Sequence, residues 1–91
     1  MSFSDTASHA GTSTNSIQLL FTGQVTEGLA SSLGTSAAAA QKFINGATSD
    51  GLASAIGISS SELQHLRNDL GKEGAIGLIL GLAIALPKDS A

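Results

Sequence analysis

The chain has 91 residues, no cysteine and a net charge of -3, and charged residues make up only 12% of it. This length fits one small domain, and the absence of cysteine excludes disulfides, thiolate metal sites and cysteine nucleophiles. Because few charges are available to cover the surface and small domains bury a limited share of their area, the composition favours stabilisation by self-association.

Residues 1–15 (MSFSDTASHAGTSTN) are rich in Ser, Thr, Ala and Gly, with Met1 and Phe3 as their larger hydrophobic residues. Little burial could offset the entropy of ordering such a segment, so it is predicted to be a flexible polar tail. A single helical domain is predicted over residues 16–91. The N-terminus has neither the basic nor the apolar region of a cleaved signal peptide, which disfavours Sec export by that route.

The first two helices are predicted from hydrophobic spacing and helix propensity. Residues 17–33 carry hydrophobic side chains three and four positions apart, which predicts an amphipathic helix ended by Gly34. Ser36 is predicted to cap a second helix over residues 37–44, because its four alanines have the highest helix propensity. Gly46 is predicted to end that helix.

Two further helices are predicted before the last segment, over residues 50–56 and 59–70. Ser59 and Glu62 match a capping box, which marks the start of the second of these. No internal repeat of solenoid length is predicted. The buried face of the 59–70 helix is predicted to consist of Leu63, Leu66 and Leu70.

Residues 74–86 (GAIGLILGLAIAL) contain no charged or polar side chain, and Pro87 follows directly. A helix that is apolar on all sides is buried on all sides, in a core, an oligomer or a membrane. This helix would be about 20 Å long, against about 30 Å for the hydrocarbon core of a bilayer, so an ordinary single span is disfavoured. Small residues on one face would let a neighbouring helix approach closely, which predicts self-association. The predicted contact residues are Gly74, Gly77, Gly81, Ala85, Ile76, Leu80 and Ile84.

The sequence therefore predicts an all-α fold of four to five short helices, with a flexible polar N-terminal tail and an apolar C-terminal helix. No catalytic, cofactor-binding or metal-binding residue is predicted, and the chain is not expected to be an enzyme. His65, Arg67 and Asp69 lie on one solvent-facing helix and have no nucleophile beside them. The glycines of residues 74–86 lack the Lys-Ser/Thr ending of a phosphate-binding loop.

Residues 52–66 (LASAIGISSSELQHL) resemble the helix-turn-helix of DNA-binding repressors, with Ala53 in the first helix and Gly57 in the turn. The matching positions are packing positions, which any two short helices joined by a glycine turn would share. Arg67 alone supplies positive charge near the second helix, and Asp69 lies beside it. The electrostatics therefore disfavour nucleic acid as a partner, and a helix-turn-helix regulator or adaptor is kept as an alternative.

The whole composition resembles that of type III secretion needle and Hrp-type pilus subunits. These are similarly short, lack cysteine, are poor in aromatics and rich in Ala, Ser and Gly, and have a polar N-terminus, matched here by SFSDTASHAGTSTNS. The resemblance implies a helical subunit, secreted or on the cell surface without a cleaved Sec signal peptide, that packs around a narrow channel through its C-terminal helix. A Pro-centred hairpin turn is missing, and a segment as apolar as residues 74–86 departs from the family pattern.

The leading hypothesis is a structural subunit of a secreted homopolymeric filament or pilus, whose partners are copies of itself and the secretion machinery. A membrane-active protein of the bacteriocin or toxin type is the second alternative. Its apolar helix would insert after a conformational change and would have to oligomerise or thin the bilayer to offset its short length.

Overall fold

The computed structural model of the chain describes residues 2–85, and this part of the chain forms six α-helices around one hydrophobic core. The all-α class is confirmed, whereas the prediction of four to five helices is wrong. α6 contacts each of the other five helices and so occupies the centre of the fold. The helices are α1 (Phe3–Ala10), α2 (Thr14–Phe21), α3 (Glu27–Leu33), α4 (Ala37–Asn45), α5 (Asp50–Ile56) and α6 (Ser60–Ala85).

Ser or Thr side chains begin the helices and glycines end most of them. In each of the first five, the cap hydroxyl accepts a hydrogen bond from a backbone N–H of the first turn, which satisfies one donor that has no partner within the helix. α6 begins with the predicted capping box, because Glu62 N–H donates to Ser59 Oγ and Ser59 N–H donates to Glu62 Oε1, both over 3.1 Å.

The segment predicted as a flexible tail contains a helix, α1, which packs against α2 and α6. Ala7 and Ala10 are buried at these contacts. Alanine has little area to bury, but its small side chain lets helices approach closely, and alanine also has the highest helix propensity. The prediction counted large hydrophobic residues alone and so missed this packing. Met1 lies outside the described residues.

The amphipathic helix predicted over residues 17–33 is two helices in the structure. α2 ends at Phe21, and α3 begins at Glu27 after the cap residue Thr26. Gly23, with φ of 95°, adopts the left-handed conformation that turns the chain. The hydrophobic spacing was read correctly as helical, but it runs through the turn because both helices bury side chains in the same core.

The apolar segment is the second half of α6, and Gly71 separates it from the first half. Gly71 has φ of 73° and ψ of -178°, a combination that is essentially restricted to glycine, and it kinks the helix. Ala75, Ile76, Ile79 and Ala83 are buried in the chain's own core. The segment therefore supplies much of the centre of this fold. Leu86 lies outside the described residues.

The prediction of a buried face on the first half of α6 is partly wrong. Leu63 is fully buried, but Leu66 and Leu70 are exposed. Arg67, four positions after Leu63, turns inward instead and donates to backbone carbonyls of α4. The inward-facing side of this half of α6 thus ends in the guanidinium group of Arg67. The spacing of apolar residues does not predict a charged side chain at such a position.

Contrary to the sequence-based expectation, the chain is built on an internal repeat of 23 residues. Residues 28–31 and 51–54 both read Gly-Leu-Ala-Ser, and Gln18, Gln41 and Gln64 are separated by the same 23 positions. The first unit comprises α2 and α3, the second comprises α4 and α5, and the third is α6, whose two halves take the places of the two helices. α1 corresponds to the second helix of a unit, since Ala7, Ala30 and Ala53 are equivalent and all buried.

The repeat extends to individual hydrogen bonds. Gln41 Nε2 donates to the Gly23 carbonyl over 2.8 Å, and Gln64 Nε2 donates to the Gly46 carbonyl over 3.1 Å. In α1, α3 and α5 the same Schellman bond ends the helix; its donors are Thr12, Thr35 and Ile58, and its acceptors are Ala7, Ala30 and Ala53. Successive units are therefore joined in the same way, by a glutamine that binds the end of the preceding first helix.

Candidate interaction surface

The outward face of the second half of α6 is an uncharged surface. Gly77, Gly81, Ile84 and Ala85 are exposed there, and no charged residue occurs between Gly74 and Ala85. A Cβ atom built on Gly77 or on Gly81 would have no atom of the chain within 4 Å. We call these four residues the α6 outer face. Because Gly77 and Gly81 carry no side chain and the face carries no charge, another helix could lie directly against the backbone at these two glycines.

The seven residues predicted for self-association divide between this face and the interior. Ile76 is only 8% exposed and packs in the core, so it is not open to a partner while the chain is folded. Gly74 and Leu80 are half-buried at the boundary. The remaining four are the residues of the α6 outer face.

Phe3 and Phe21 form an exposed aromatic pair next to the α6 outer face. Their ring centroids are 5.6 Å apart and the rings are inclined at 58°, a tilted geometry that favours aromatic pairs. Phe21 is 53% exposed although it is one of three aromatic residues in the chain. Phe21 is one of the hydrophobic residues of the helix predicted over residues 17–33, and Phe3 lies in the segment predicted as a tail, so the sequence did not indicate this pair.

Two open clefts flank Phe21. One, of about 300 Å³, is lined by Phe21, Glu73, Ile76 and Gly77, and so connects the aromatic pair with the α6 outer face. The other, of about 390 Å³, is lined by Ser2, Phe3, Thr6 and Phe21. The Phe21 side chain therefore stands between two recesses.

The segment that resembles a helix-turn-helix forms α5, a turn at Gly57 and the start of α6. Arg67 donates through Nε to the Phe43 carbonyl over 2.7 Å and through Nη2 to the Ile44 carbonyl over 2.9 Å. A guanidinium group at the C-terminal end of α4 adds hydrogen bonds to carbonyls of the last turn and opposes the negative end of the helix dipole. Arg67, the residue directly after this segment, is thus held in a packing contact with α4.

Within the described residues 2–85, the acid–base groups do not form a cluster that could hold a metal ion. His65 is exposed on α6. Between residues 2 and 85, no three His, Asp or Glu side chains are placed to hold a metal ion. Among the residues that the structure describes, Ser16 is the buried polar one, and its Oγ accepts hydrogen bonds from Ser13 Oγ and Thr26 Oγ1. This hydroxyl cluster joins two helix caps.

Comparison with protein-family models, with curated proteins and with solved structures finds no match to this chain. Over residues 2–85, no helix combines the length and the hydropathy needed to cross a membrane. The surfaces described above are therefore the basis on which a function can be proposed.

Proposed function

We propose that this protein is a structural subunit that assembles with copies of itself, using the α6 outer face as a contact surface. The observation that carries the proposal is that Gly77, Gly81, Ile84 and Ala85 form an uncharged, exposed strip on a helix whose opposite side fills the chain's own core. Leaving such a strip in water has an energetic cost, and a neighbouring helix would remove it.

The proposed product is a homopolymer of the filament or pilus type. Heterologous contacts between identical subunits generate open filaments when their rotation does not close. The compositional resemblance to secreted pilus subunits supports the same class. A membrane-active protein is the competing outcome, since the same uncharged strip could contact lipid.

Sedimentation velocity from micromolar to millimolar concentration, combined with negative-stain microscopy, tests self-assembly. We expect concentration-dependent species larger than a dimer and, in micrographs, elongated particles. A protein that sediments as a monomer over the whole range contradicts the proposal. Dye release from anionic lipid vesicles, without assembly in solution, would favour the membrane-active alternative.

The contact surface is tested with Gly81→Leu. The new side chain points into open space in the single chain, so the fold should persist, whereas a neighbour packed on this face would be displaced. Ala38→Leu is the matched control, because Ala38 is also exposed on a helix but lies on α4. We expect loss of assembly in the first variant and normal assembly in the second.

A further inference from the structure

The two halves of α6 pack into one core, although their buried sides point in different directions around the helix axis. Leu63 in the first half and Ile79 in the second half are both fully buried. Because an α-helix has 3.6 residues per turn, these two side chains would point about 160° apart on a straight helix. A straight α6 would therefore face its own core with the first half and turn the buried side of the second half almost directly away from it.

Gly71 is the residue that brings both halves to the same core. Its φ of 73° and ψ of -178° form a combination that is essentially restricted to glycine, and the chain is helical on both sides of it. A Cβ atom built on Gly71 would have no atom of the chain within 4 Å. The backbone conformation, and not the surrounding packing, therefore requires glycine here, and the kink depends on this single residue.

A straight α6 does not fit within the folded chain. Its 26 residues would span about 39 Å, whereas the longest dimension of the fold is 33 Å. Straightening would move residues 72–85 out of the core together with the buried residues Ala75, Ile76, Ile79 and Ala83. The segment and the groove that it leaves would both expose apolar surface to water, which is unfavourable. The straight helix is therefore stable only where a second core receives residues 72–85 and another apolar helix fills the groove.

We propose that two copies of the chain exchange residues 72–85. Each copy straightens α6 at Gly71 and places this segment in the groove of the other copy. The groove fits this occupant, because the identical segment of its own chain already fills it. Each straight α6 then lies between two cores, and the angle of about 160° directs its two buried sides to one core each. Exchange of an identical element is a low-cost route to dimers.

The core contacts are the same in the single chain and in the exchanged dimer, so smaller effects decide between them. The hinge residue leaves its restricted conformation when the helix becomes straight. On a straight helix, the exposed apolar and small residues of both halves also lie within an arc of about 60°. They are Leu66, Leu70, Gly77, Gly81 and Ile84. This strip gives two neighbouring copies of α6 apolar surface to bury where they cross. The exchange goes beyond the proposed function, because the shared contact is the core groove and not the α6 outer face.

The absence of native cysteine allows the exchange to be followed by cross-linking. Phe21 and Glu73 line the same cleft, and the hinge lies between them in the sequence. A Phe21→Cys chain and a Glu73→Cys chain are unfolded in urea, refolded together at high concentration and treated with a short bis-maleimide. The expected product is a covalent dimer of one chain of each kind, because exchange brings position 73 of one copy to position 21 of the other.

The control refolds the two single-cysteine chains separately and mixes them only before the reagent is added. Contacts between the surfaces of folded chains form equally in both procedures, whereas exchange requires residues 72–85 to leave the core. The chain that carries both cysteines links within itself and shows that the reagent spans the distance. A yield of the mixed dimer at least about tenfold higher after joint refolding supports the exchange. Equal yields in the two procedures overturn it.

Substitution at the hinge supplies a second test. Gly71→Ala disfavours the kinked conformation and is compatible with a straight helix, so the dimerisation constant from sedimentation equilibrium should rise at least about tenfold. Gly34→Ala is the matched control, since Gly34 also has a positive φ of 77° and no atom within 4 Å of its added Cβ, but ends α3. A Gly71→Ala chain that dimerises no more strongly than the native chain, or an equal rise in both variants, contradicts the exchange. The cross-linking test keeps the native hinge and so decides if Gly71→Ala does not fold.

The outcomes also separate this inference from the proposed function. Polymers that form from separately refolded chains without the link between positions 21 and 73 support the proposed function and overturn the exchange. A linked dimer that forms no larger species supports the exchange and contradicts the polymer.

Discussion

The side chain of Gln41 in α4 forms hydrogen bonds to both sides of the turn between α2 and α3, and so joins two successive repeat units. Its Nε2 donates to the carbonyl oxygen of Gly23 over 2.8 Å, and its Oε1 accepts from the N–H of Val25 over 2.8 Å. Val25 is buried, and its N–H is hydrogen-bonded to this side chain. One side-chain amide thus replaces the secondary-structure partners that the turn between α2 and α3 lacks.

Gln41→Leu should destabilise the chain by about 1–3 kcal/mol, because it leaves a buried backbone donor and an acceptor without partners. Gln64→Leu should cost less, since Gln64 binds one backbone group, the Gly46 carbonyl. Urea unfolding of the dilute chain measures both changes. Gln18→Leu is the control, expected within about 0.5 kcal/mol of the native chain because Gln18 is exposed. Equal changes in stability for all three substitutions would contradict the proposed role of Gln41 and Gln64 in binding the turns.

Arg67→Met should cost about 1.5–3 kcal/mol, since it removes two charge-assisted hydrogen bonds to the C-terminal end of α4. Methionine retains most of the apolar stem of arginine, so the loss of stability measures the contribution of the guanidinium group. Arg67→Lys should recover only part of it, because an ammonium group cannot reproduce the planar pair of donors. The urea midpoint should be highest for the native chain, lower for Arg67→Lys and lowest for Arg67→Met. A lysine variant as stable as the native chain would show that the positive charge alone is sufficient.

The helix ends were the part of the fold that the sequence predicted best. Gly34, Gly46 and Gly57 end helices as expected, and Ser36 and Ser59 begin them, because capping depends on residues close together in the chain. The break at Gly23 was missed because the hydrophobic spacing continues across it. The repeat was missed because its units match mainly at short polar and glycine positions, whose equivalence becomes clear only when Gln41 and Gln64 are seen to make the same bonds.

The candidate surface was predicted only in part. Local composition identified Gly77 and Gly81 as a small-residue face, and both are exposed. The burial of Ile76 depends on where the kink at Gly71 directs the second half of α6. Such a direction is set by packing between distant segments, and hydrophobic periodicity along one helix does not contain it.

Glu62→Gln should reduce the dependence of stability on pH. The pKa of Glu62 is lowered from its ordinary value, first by the hydrogen bond from the Ser59 backbone N–H and then by the Ser59 hydroxyl. A carboxyl whose pKa is lower in the folded than in the unfolded state adds stability above its unfolded pKa, and this is lost as pH falls through the folded pKa. The urea midpoint of the native chain should therefore fall further between pH 7 and about pH 3 than that of the glutamine variant.

The glutamine variant is an appropriate comparison because a glutamine side chain can still accept from the Ser59 N–H in a capping box. The helix start is therefore kept while the titration is removed. Asp69→Asn, at another exposed carboxyl of α6, is the control for a general effect of lost negative charge. Parallel pH profiles for the native chain and Glu62→Gln would rule out this contribution.

Gly77→Ala and Gly74→Ala should have effects of opposite sign on the stability of the single chain. The added methyl group at position 77 meets no atom within 4 Å, so the change should stabilise the helix by about 0.5–1 kcal/mol through reduced backbone entropy of the unfolded chain. At position 74 the new Cβ would stand 2.7 Å from Leu70 Cβ. That atom is fixed to the backbone directly before the kink at Gly71, so relief requires a backbone shift and the change should destabilise.

The measurement is urea unfolding at concentrations where sedimentation shows a monomer, so that effects on assembly do not enter. Ala38→Gly in α4 calibrates the helix-propensity term, since Ala38 is an exposed helical residue and the reverse change should cost about 1 kcal/mol. If both glycine variants stabilised the chain equally, α6 would have to tolerate a side chain at position 74. The contact between Gly74 and Leu70 would then not fix the geometry of the kink.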